Sequence, residues 1–229
     1  MSVIAVTGLA VEARIAAGSG VRTIVGGGNA KQLIVALDRE IGRGARAFMS
    51  FGIAGGLTDG LTAGTWLVAR RIVTPTATWQ VDAAWMRAIS LRLVGALTVD
   101  IAGVDSLVPN PQAKQALRRT SGAAAVDTES HIVAGVAAAH RLPFAAFRVV
   151  ADSARRALPP AVHVALRKDG KIDHAAVLRS LARSPGQFRS LARTAIDARI
   201  AFRALSRGRR CLGPSLGFPD FDQLMLDVP

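Results

Sequence analysis

Short apolar runs that end on glycine recur through the first two thirds of the chain, and they restrict the fold more than any other feature. Val3-Ile4-Ala5-Val6 closes on Thr7-Gly8 and Ala45–Phe51 runs into Gly52-Ile53-Ala54-Gly55-Gly56, while the more mixed Val21–Val25, a second strand by position, closes on Gly26-Gly27-Gly28. Runs that are apolar at nearly every position suit strands buried on both faces, as in sheets covered by helices on each side. Helical spacing fills the intervals. It covers Leu9–Ala17, Lys31–Ile41 with Asn29 as N-cap and Gly42 and Gly44 behind it, Val81–Leu93, Gln112–Thr120 behind Pro111, and the alanine-rich Ile132–Ala139. Further strands are expected over Thr65–Val73, Ala96–Ala102, Ala123–Val126 and Phe144–Val150. The alternation predicts an α/β sandwich around a mixed sheet.

After Asp152 the pattern changes. Leu158-Pro159-Pro160 breaks the chain, and helices follow, separated by Gly170 and by Pro185-Gly186. Phe188, Leu191, Ala195, Phe202 and Leu205 fall on one side of a helix, which reads as a stripe packing on the sheet, with Arg193, Arg199, Arg203 and Arg207 on its flank. The net charge of +13 is concentrated here: from Arg155 to Arg210 the basic residues are opposed only by Asp169, Asp173 and Asp197. Such a field favours a polyanionic partner, nucleic acid or an anionic membrane surface, or else marks a solvated helix face. Few aromatics accompany it, which argues against nucleic acid. With 229 residues, one domain over 1–229 is expected, with a basic helical part from about 155 to 210.

The single cysteine, Cys211, excludes an intramolecular disulfide framework. Residues 1–20 lack the basic start of a signal peptide, no apolar run is long enough to span a bilayer, and a cytoplasmic setting is expected. His131, His140, His163 and His174 do not fall at metal-ligand spacings, so no metal is expected. The glycine-rich segments at strand ends are where ligands gather in open α/β sheets. None makes the GxGxxG fingerprint and none is followed by a P-loop lysine.

The order of motifs is more specific than any one of them. Gly52-Ile53-Ala54-Gly55-Gly56-Leu57 leads to Leu61-Thr62-Ala63-Gly64-Thr65, then to Val126-Asp127-Thr128-Glu129-Ser130, then to Phe147-Arg148-Val149-Val150-Ala151-Asp152. In this order the chain resembles the nucleoside phosphorylase/nucleosidase superfamily, in particular the methylthioadenosine/adenosylhomocysteine nucleosidases. The resemblance implies a three-layer αβα sandwich around a mixed, partly barrel-like sheet of the purine nucleoside phosphorylase type. It implies cleavage of an N-glycosidic bond of an adenosine-type nucleoside with release of adenine, no organic or metal cofactor, and a homo-oligomer. Carried over by position, Glu129 accepts from the ribose 2′- and 3′-hydroxyls, Asp152 is the acid that protonates purine N7, and Arg148 helps position that aspartate. Leu107 and Val108 stand where the base is stacked and bound, and Thr128 where a side chain packs on the sugar. Gly8, Ile53, Ala54 and Gly55 are places where backbone approaches substrate.

Members that use phosphate hold it with arginines and a hydroxyl. Here Glu12 lies about where the first arginine belongs, and Ser50 and Ile53 occupy the other two positions. Glu12 is also about where hydrolytic members place the carboxylate that activates water, so hydrolysis is favoured. An inward-pointing Arg14 would restore phosphate as co-substrate. Beyond Asp152, Leu158-Pro159-Pro160-Ala161, Asp169-Gly170-Lys171 and Ser184-Pro185-Gly186-Gln187 resemble the hopanoid-associated phosphorylases. That likeness implies adenosylhopane as substrate; the arginine flank suits a basic amphipathic helix over Gln187–Arg207 resting on the inner face of an anionic membrane. A small soluble nucleoside such as methylthioadenosine, and a non-enzymatic nucleic-acid-binding role, are the alternatives.

Overall fold

The computed structural model describes residues 2–165, 167 and 169–219; residues 220–229, the tail of the expected domain, lie outside the described residues. Strand β1 (Val3–Thr7) is followed by α1 (Ala10–Ala16), β2 (Val21–Val25), α2 (Ala30–Gly42), β3 (Ala47–Gly56), β4 (Trp66–Val73) and β5 (Thr78–Gln80). Then come α3 (Ala83–Arg92), β6 (Leu97–Gly103), α4 (Pro111–Ser121), β7 (Ala125–Asp127), α5 (Ser130–Ala139) and β8 (Phe144–Asp152). Helices α6 (Pro160–Ala165) and α7 (His174–Arg183), a 3₁₀ turn over Pro185–Gln187, and α8 (Phe188–Leu212) complete the fold. Local chemistry sets several helix starts. Asn29, Asp82, Asn110 and Asp173 each accept, through a side-chain oxygen, the backbone N–H three residues on, and Pro111 occupies the first turn of α4, where its missing N–H costs nothing.

The strands form one sheet in the order β2-β1-β3-β7-β6-β4-β5, and β8 pairs with both β3 and β4. Following the pairings β3–β8, β8–β4, β4–β6, β6–β7 and β7–β3 returns to the starting strand, so five strands close into a small barrel and β1 and β2 extend from it. The first half of β3 pairs with β1, while its end, Gly55 and Gly56, turns to β7. One expectation is corrected here and one strand is added. Gly52–Gly56 is not a loop but the continuation of β3, paired throughout with β8 or β7. These glycines leave room for side chains that press against the strand: a Cβ at Gly52 would lie 2.5 Å from Glu12 Oε1, and one at Gly55 would lie 3.4 Å from Asp152 Oδ2. Thr78–Gln80, unassigned in the sequence reading, is an edge strand antiparallel to β4.

Alternation along the strands divides the interior in two. Val3, Ala5, Met49, Phe51, Phe147 and Val149 face Trp85 of α3 and Ala201, Ala204 and Leu205 of α8. Ile4, Val6, Phe48, Leu67, Ile101 and Val150 face Leu33 and Leu37 of α2 and Val133 and Ala137 of α5. A smaller cluster of Leu57, Ala102, Ala123 and Val126 packs against Val108 and against Leu117 of α4.

Helix α8 meets the sheet through Ala201, Ala204, Leu205, Gly208 and Leu212, the residues it buries. Trp66 Nε1 donates to Ala204 O at 2.9 Å, and Arg209 Nε donates to Ala16 O at 2.8 Å. The expected stripe is therefore corrected: its C-terminal half packs, but Phe188 is 65% exposed and Ala195 is exposed, because the helix starts well before it reaches the sheet. Among the described residues no helix is long and apolar enough to cross a membrane.

Gly208 rides directly over Phe147, where a Cβ would come within 2.5 Å of Cζ. Gly208→Leu is expected to destabilise by about 1–3 kcal/mol through overpacking, lowering Tm by about 2–4 °C per kcal/mol. Ala195→Leu on the exposed half of the same helix should leave Tm unchanged. Thermal unfolding of both variants checks this.

Candidate active site

Groups from β3, the end of β7 and the start of α5 converge on one buried cation. Arg148 lies in the middle of β8 opposite Gly52 of β3, and its side chain is inaccessible to solvent. Its Nη2 donates to Ser50 Oγ at 2.5 Å and to Ser130 Oγ at 3.3 Å, and its Nη1 donates to Ile53 O at 3.3 Å. Asp127 Oδ2 stands 2.8 Å from Nε, and Glu129 Oε2 stands 3.4 Å from Nη2. A buried guanidinium is tolerated only with such partners.

Asp127 does a second task. Its Oδ1 accepts from the backbone N–H groups of Glu129, at 3.1 Å, and Ser130, at 2.8 Å, and so caps α5. A glutamate ahead of a helix is ordinarily read as the cap. Here the aspartate two residues earlier takes that role, and Glu129 makes no side-chain cap bond. The Glu129 carboxyl instead accepts from Thr128 Oγ1 at 2.6 Å and lies against Gly8, where a Cβ would be 2.8 Å from Oε1. It borders a cavity of about 170 Å³ lined also by Gly26, Leu33, Asp105, Thr128 and Ile132. Burial pushes its carboxyl above the usual range against the pull of Arg148.

Glu12, in the first turn of α1, is almost completely buried. Its Oε2 accepts from Gly8 N at 2.9 Å and Leu9 N at 2.8 Å, and its Oε1 accepts from Ile53 N at 2.8 Å, across the site on β3. Burial raises its pKa to about 7, with Arg148 pulling the other way and Glu129 adding to the rise. Asp152 forms a second locus further along β3, against Gly55. At about 3.3 Å per residue, its contact point is about 7 Å from that of Glu12 at Ile53. Lys114 of α4, itself buried, donates to Asp152 Oδ2. Burial holds the Asp152 carboxyl above its ordinary range, opposed by Lys114.

The structure thus gathers Gly8, Glu12, Ile53, Thr128, Glu129 and Arg148 into one cluster, with Gly55 and Asp152 beside it. Three readings change, those of Arg148, Thr128 and Arg14. Arg148 holds Asp127 and Glu129 and makes no contact with Asp152 among those of the described residues; the group that holds Asp152 is Lys114. Thr128 uses its hydroxyl on Glu129 rather than serving only as packing. Arg14 is exposed on the outer face of α1 and does not point inward. Ile53 and Ala54 direct their side chains into the two cores, so backbone is what they present to the site. Leu107 is 40% exposed and Val108 packs under α4; Leu158 N donates to Pro109 O and ties their loop to the segment after Asp152. Asp127 and Lys114 were not anticipated. Asp127 sits inside the motif that contains Glu129, whereas Lys114 carries no local signal. Among the described residues no three His, Cys, Asp or Glu side chains come together as a metal site.

Residues 3–196 match the family model of the phosphorylase superfamily, and the chain belongs to that family. Its fold is that of solved nucleosidases. The Streptococcus pneumoniae 5′-methylthioadenosine/S-adenosylhomocysteine nucleosidase with the transition-state inhibitor MT-ImmA is 14% identical at TM-score 0.62, over 93% of this chain and 100% of that one. The Streptococcus pyogenes S-adenosylhomocysteine nucleosidase in complex with 5-methylthiotubericidin is 14% identical at TM-score 0.59, over 89% and 96%. The Helicobacter pylori futalosine hydrolase is 15% identical at TM-score 0.55, over 66% and 88%. No curated protein matches the chain.

Arg148→Met leaves three carboxyl groups without their cation, and is expected to cost about 3–5 kcal/mol. Urea unfolding of the variant beside the parent measures that loss.

Proposed function

We propose that the protein hydrolyses the N-glycosidic bond of an adenosine-type nucleoside, releasing adenine, and that its nucleoside is adenosylhopane. The observation that carries hydrolysis is the place of the Glu12 carboxylate, which occupies the N–H groups of Gly8, Leu9 and Ile53. Backbone donors at a helix start are what an anion would use. A resident carboxylate fills them and repels phosphate, Ser50 Oγ is engaged by Arg148, and Arg14 faces outward.

In this reading Glu129 accepts from the vicinal hydroxyls of the ribose, supported by Thr128 and Arg148. Asp152 donates its proton to purine N7 as the C1′–N9 electron pair passes to the base. Glu12 orients a water and takes its proton as the oxygen bonds to C1′. Burial raises both carboxyls, Asp152 above its ordinary range and Glu12 to about 7, which is the direction an acid and a base of this reaction require. Leu107 and Val108 stand on the base side, and Gly8 and the Ile53–Gly55 backbone line the sugar.

The lipid part of the proposal rests on the resemblance of the C-terminal third and on exposed apolar groups. Gly170 O accepts from Ala10 N beside Gly8, which brings this segment onto the β1–α1 turn. From there Val164, Ile172, Leu178, Phe188, Ile196 and Ile200 are exposed along α6 to α8, with Arg193, Arg199 and Arg203 exposed near them. Such a face suits the interface of an anionic membrane on the cytoplasmic side, where a lipid nucleoside resides.

The expected result is adenine release from adenosylhopane in detergent micelles, faster than from methylthioadenosine. Asp152→Asn should lower kcat by about 10²–10⁴-fold. The rate should rise with pH through about 7 as Glu12 ionises, and Glu12→Gln should abolish that rise. Cleavage of methylthioadenosine alone would replace the lipid substrate with a small soluble one. On liposomes with anionic headgroups, changing Arg193, Arg199, Arg203 and Arg207 to Gln should reduce sedimentation by a hundredfold or more, at about 1 kcal/mol per basic residue. Unchanged sedimentation would remove the membrane contact.

A further inference from the structure

Helix α4 is polar along most of its length, and the residue it buries is Lys114. The ammonium donates to Asp152 Oδ2, to Ser153 O at 2.9 Å and to Arg156 O at 3.2 Å. All three of its N–H bonds are thus spent on the five residues that begin with Asp152. A buried lysine is costly to desolvate, and an apolar side chain would fill the same space with less loss. The other charged groups near Asp152 are Arg156 and, from α8, Asp197, which pair with each other; β3 contributes only the uncharged Gly55. Lys114 is therefore the cation bound directly to this carboxyl.

Building on the glycosidase reading above, we propose that Lys114 is a positioning residue that fixes the Asp152 carboxyl through Oδ2 and sets its strength as an acid. In the reaction the Asp152 O–H bond breaks as N7–H forms, and the C1′–N9 electron pair goes to the departing base. The carboxylate that remains faces an ammonium already in place. That cation interacts more strongly with the product of proton transfer than with the neutral acid, so it favours the transition state over the ground state. Burial pushes the Asp152 carboxyl up, and Lys114 pulls against it.

The test uses Lys114→Met and Lys114→Gln in the intact protein, the second retaining hydrogen-bonding capacity in case the first does not fold. Carboxyl ¹³C titration of Asp152, assigned with Asp152→Asn, should move up by about 1–3 pH units in either variant. The alkaline limb of kcat/KM should move with it, and kcat at neutral pH should fall at least about tenfold with KM unchanged. In the Asp152→Asn background, Lys114→Met should add no further loss of kcat. An unmoved titration and alkaline limb, or an additive loss in the double variant, overturns the proposal. If the parent protein releases no base from any nucleoside, the functional reading fails, and the titration alone then decides whether Lys114 governs Asp152.

Discussion

One buried guanidinium organises this protein. Arg148 sits in β8, the strand that closes the barrel between β3 and β4, and it gathers Asp127, Glu129, Ser50 and the carbonyl of Ile53 around itself. Three carboxyl groups, those of Asp127, Glu129 and Glu12, share this one cation, and not all of them can ionise freely in so dry a place. Burial is the main cause of the raised pKa values of Glu12 and Glu129; Arg148 pulls both down, and a neighbouring carboxyl adds to each rise. Gly52 follows from the same cluster, since a side chain opposite Arg148 would displace both the guanidinium and the Glu12 carboxylate. The glycine-rich end of β3 is thus the space left for a polar cluster inside a sheet.

The same cluster separates two kinds of chemistry. A helix start with free amides beside an arginine is a place for phosphate. Here the amides are taken by a carboxylate of the protein itself, and the guanidinium beneath is engaged by aspartate and glutamate. Among the described residues the cation beside those amides is already engaged, and the carboxyl that fills them is pushed up to about 7. Asp152 stands about two strand residues away with a different partner: burial raises both carboxyls, opposed at Glu12 by Arg148 and at Asp152 by Lys114.

Much of the fold was legible because its signals are local. Nearly continuous apolar runs marked β1, β3 and β8, and Asn29 and Pro111 marked helix starts. β5 was not legible, because three residues between Pro75 and Asp82 are too few to show alternation. The stripe on α8 showed that an apolar face exists but not how much sheet there is to cover it; the helix extends past the sheet and leaves Phe188 and Ile196 exposed. The order of motifs drew attention to Glu129, Asp152 and Arg148, but only the three-dimensional arrangement assigns Arg148 its partners. Lys114 was illegible for a physical reason: a lysine on a polar helix looks solvated until the chain after β8 folds over it.

The central claim is that water, not phosphate, attacks the sugar because Glu12 fills the anion site. The direct measurement is the source of the new oxygen at C1′ when the protein turns over its nucleoside in ¹⁸O-water containing saturating phosphate. Label in a free sugar hydroxyl, with no sugar phosphate formed, is the predicted result. An unlabelled sugar 1-phosphate would contradict it, and would mean that the Glu12 carboxylate leaves those amides when substrate binds.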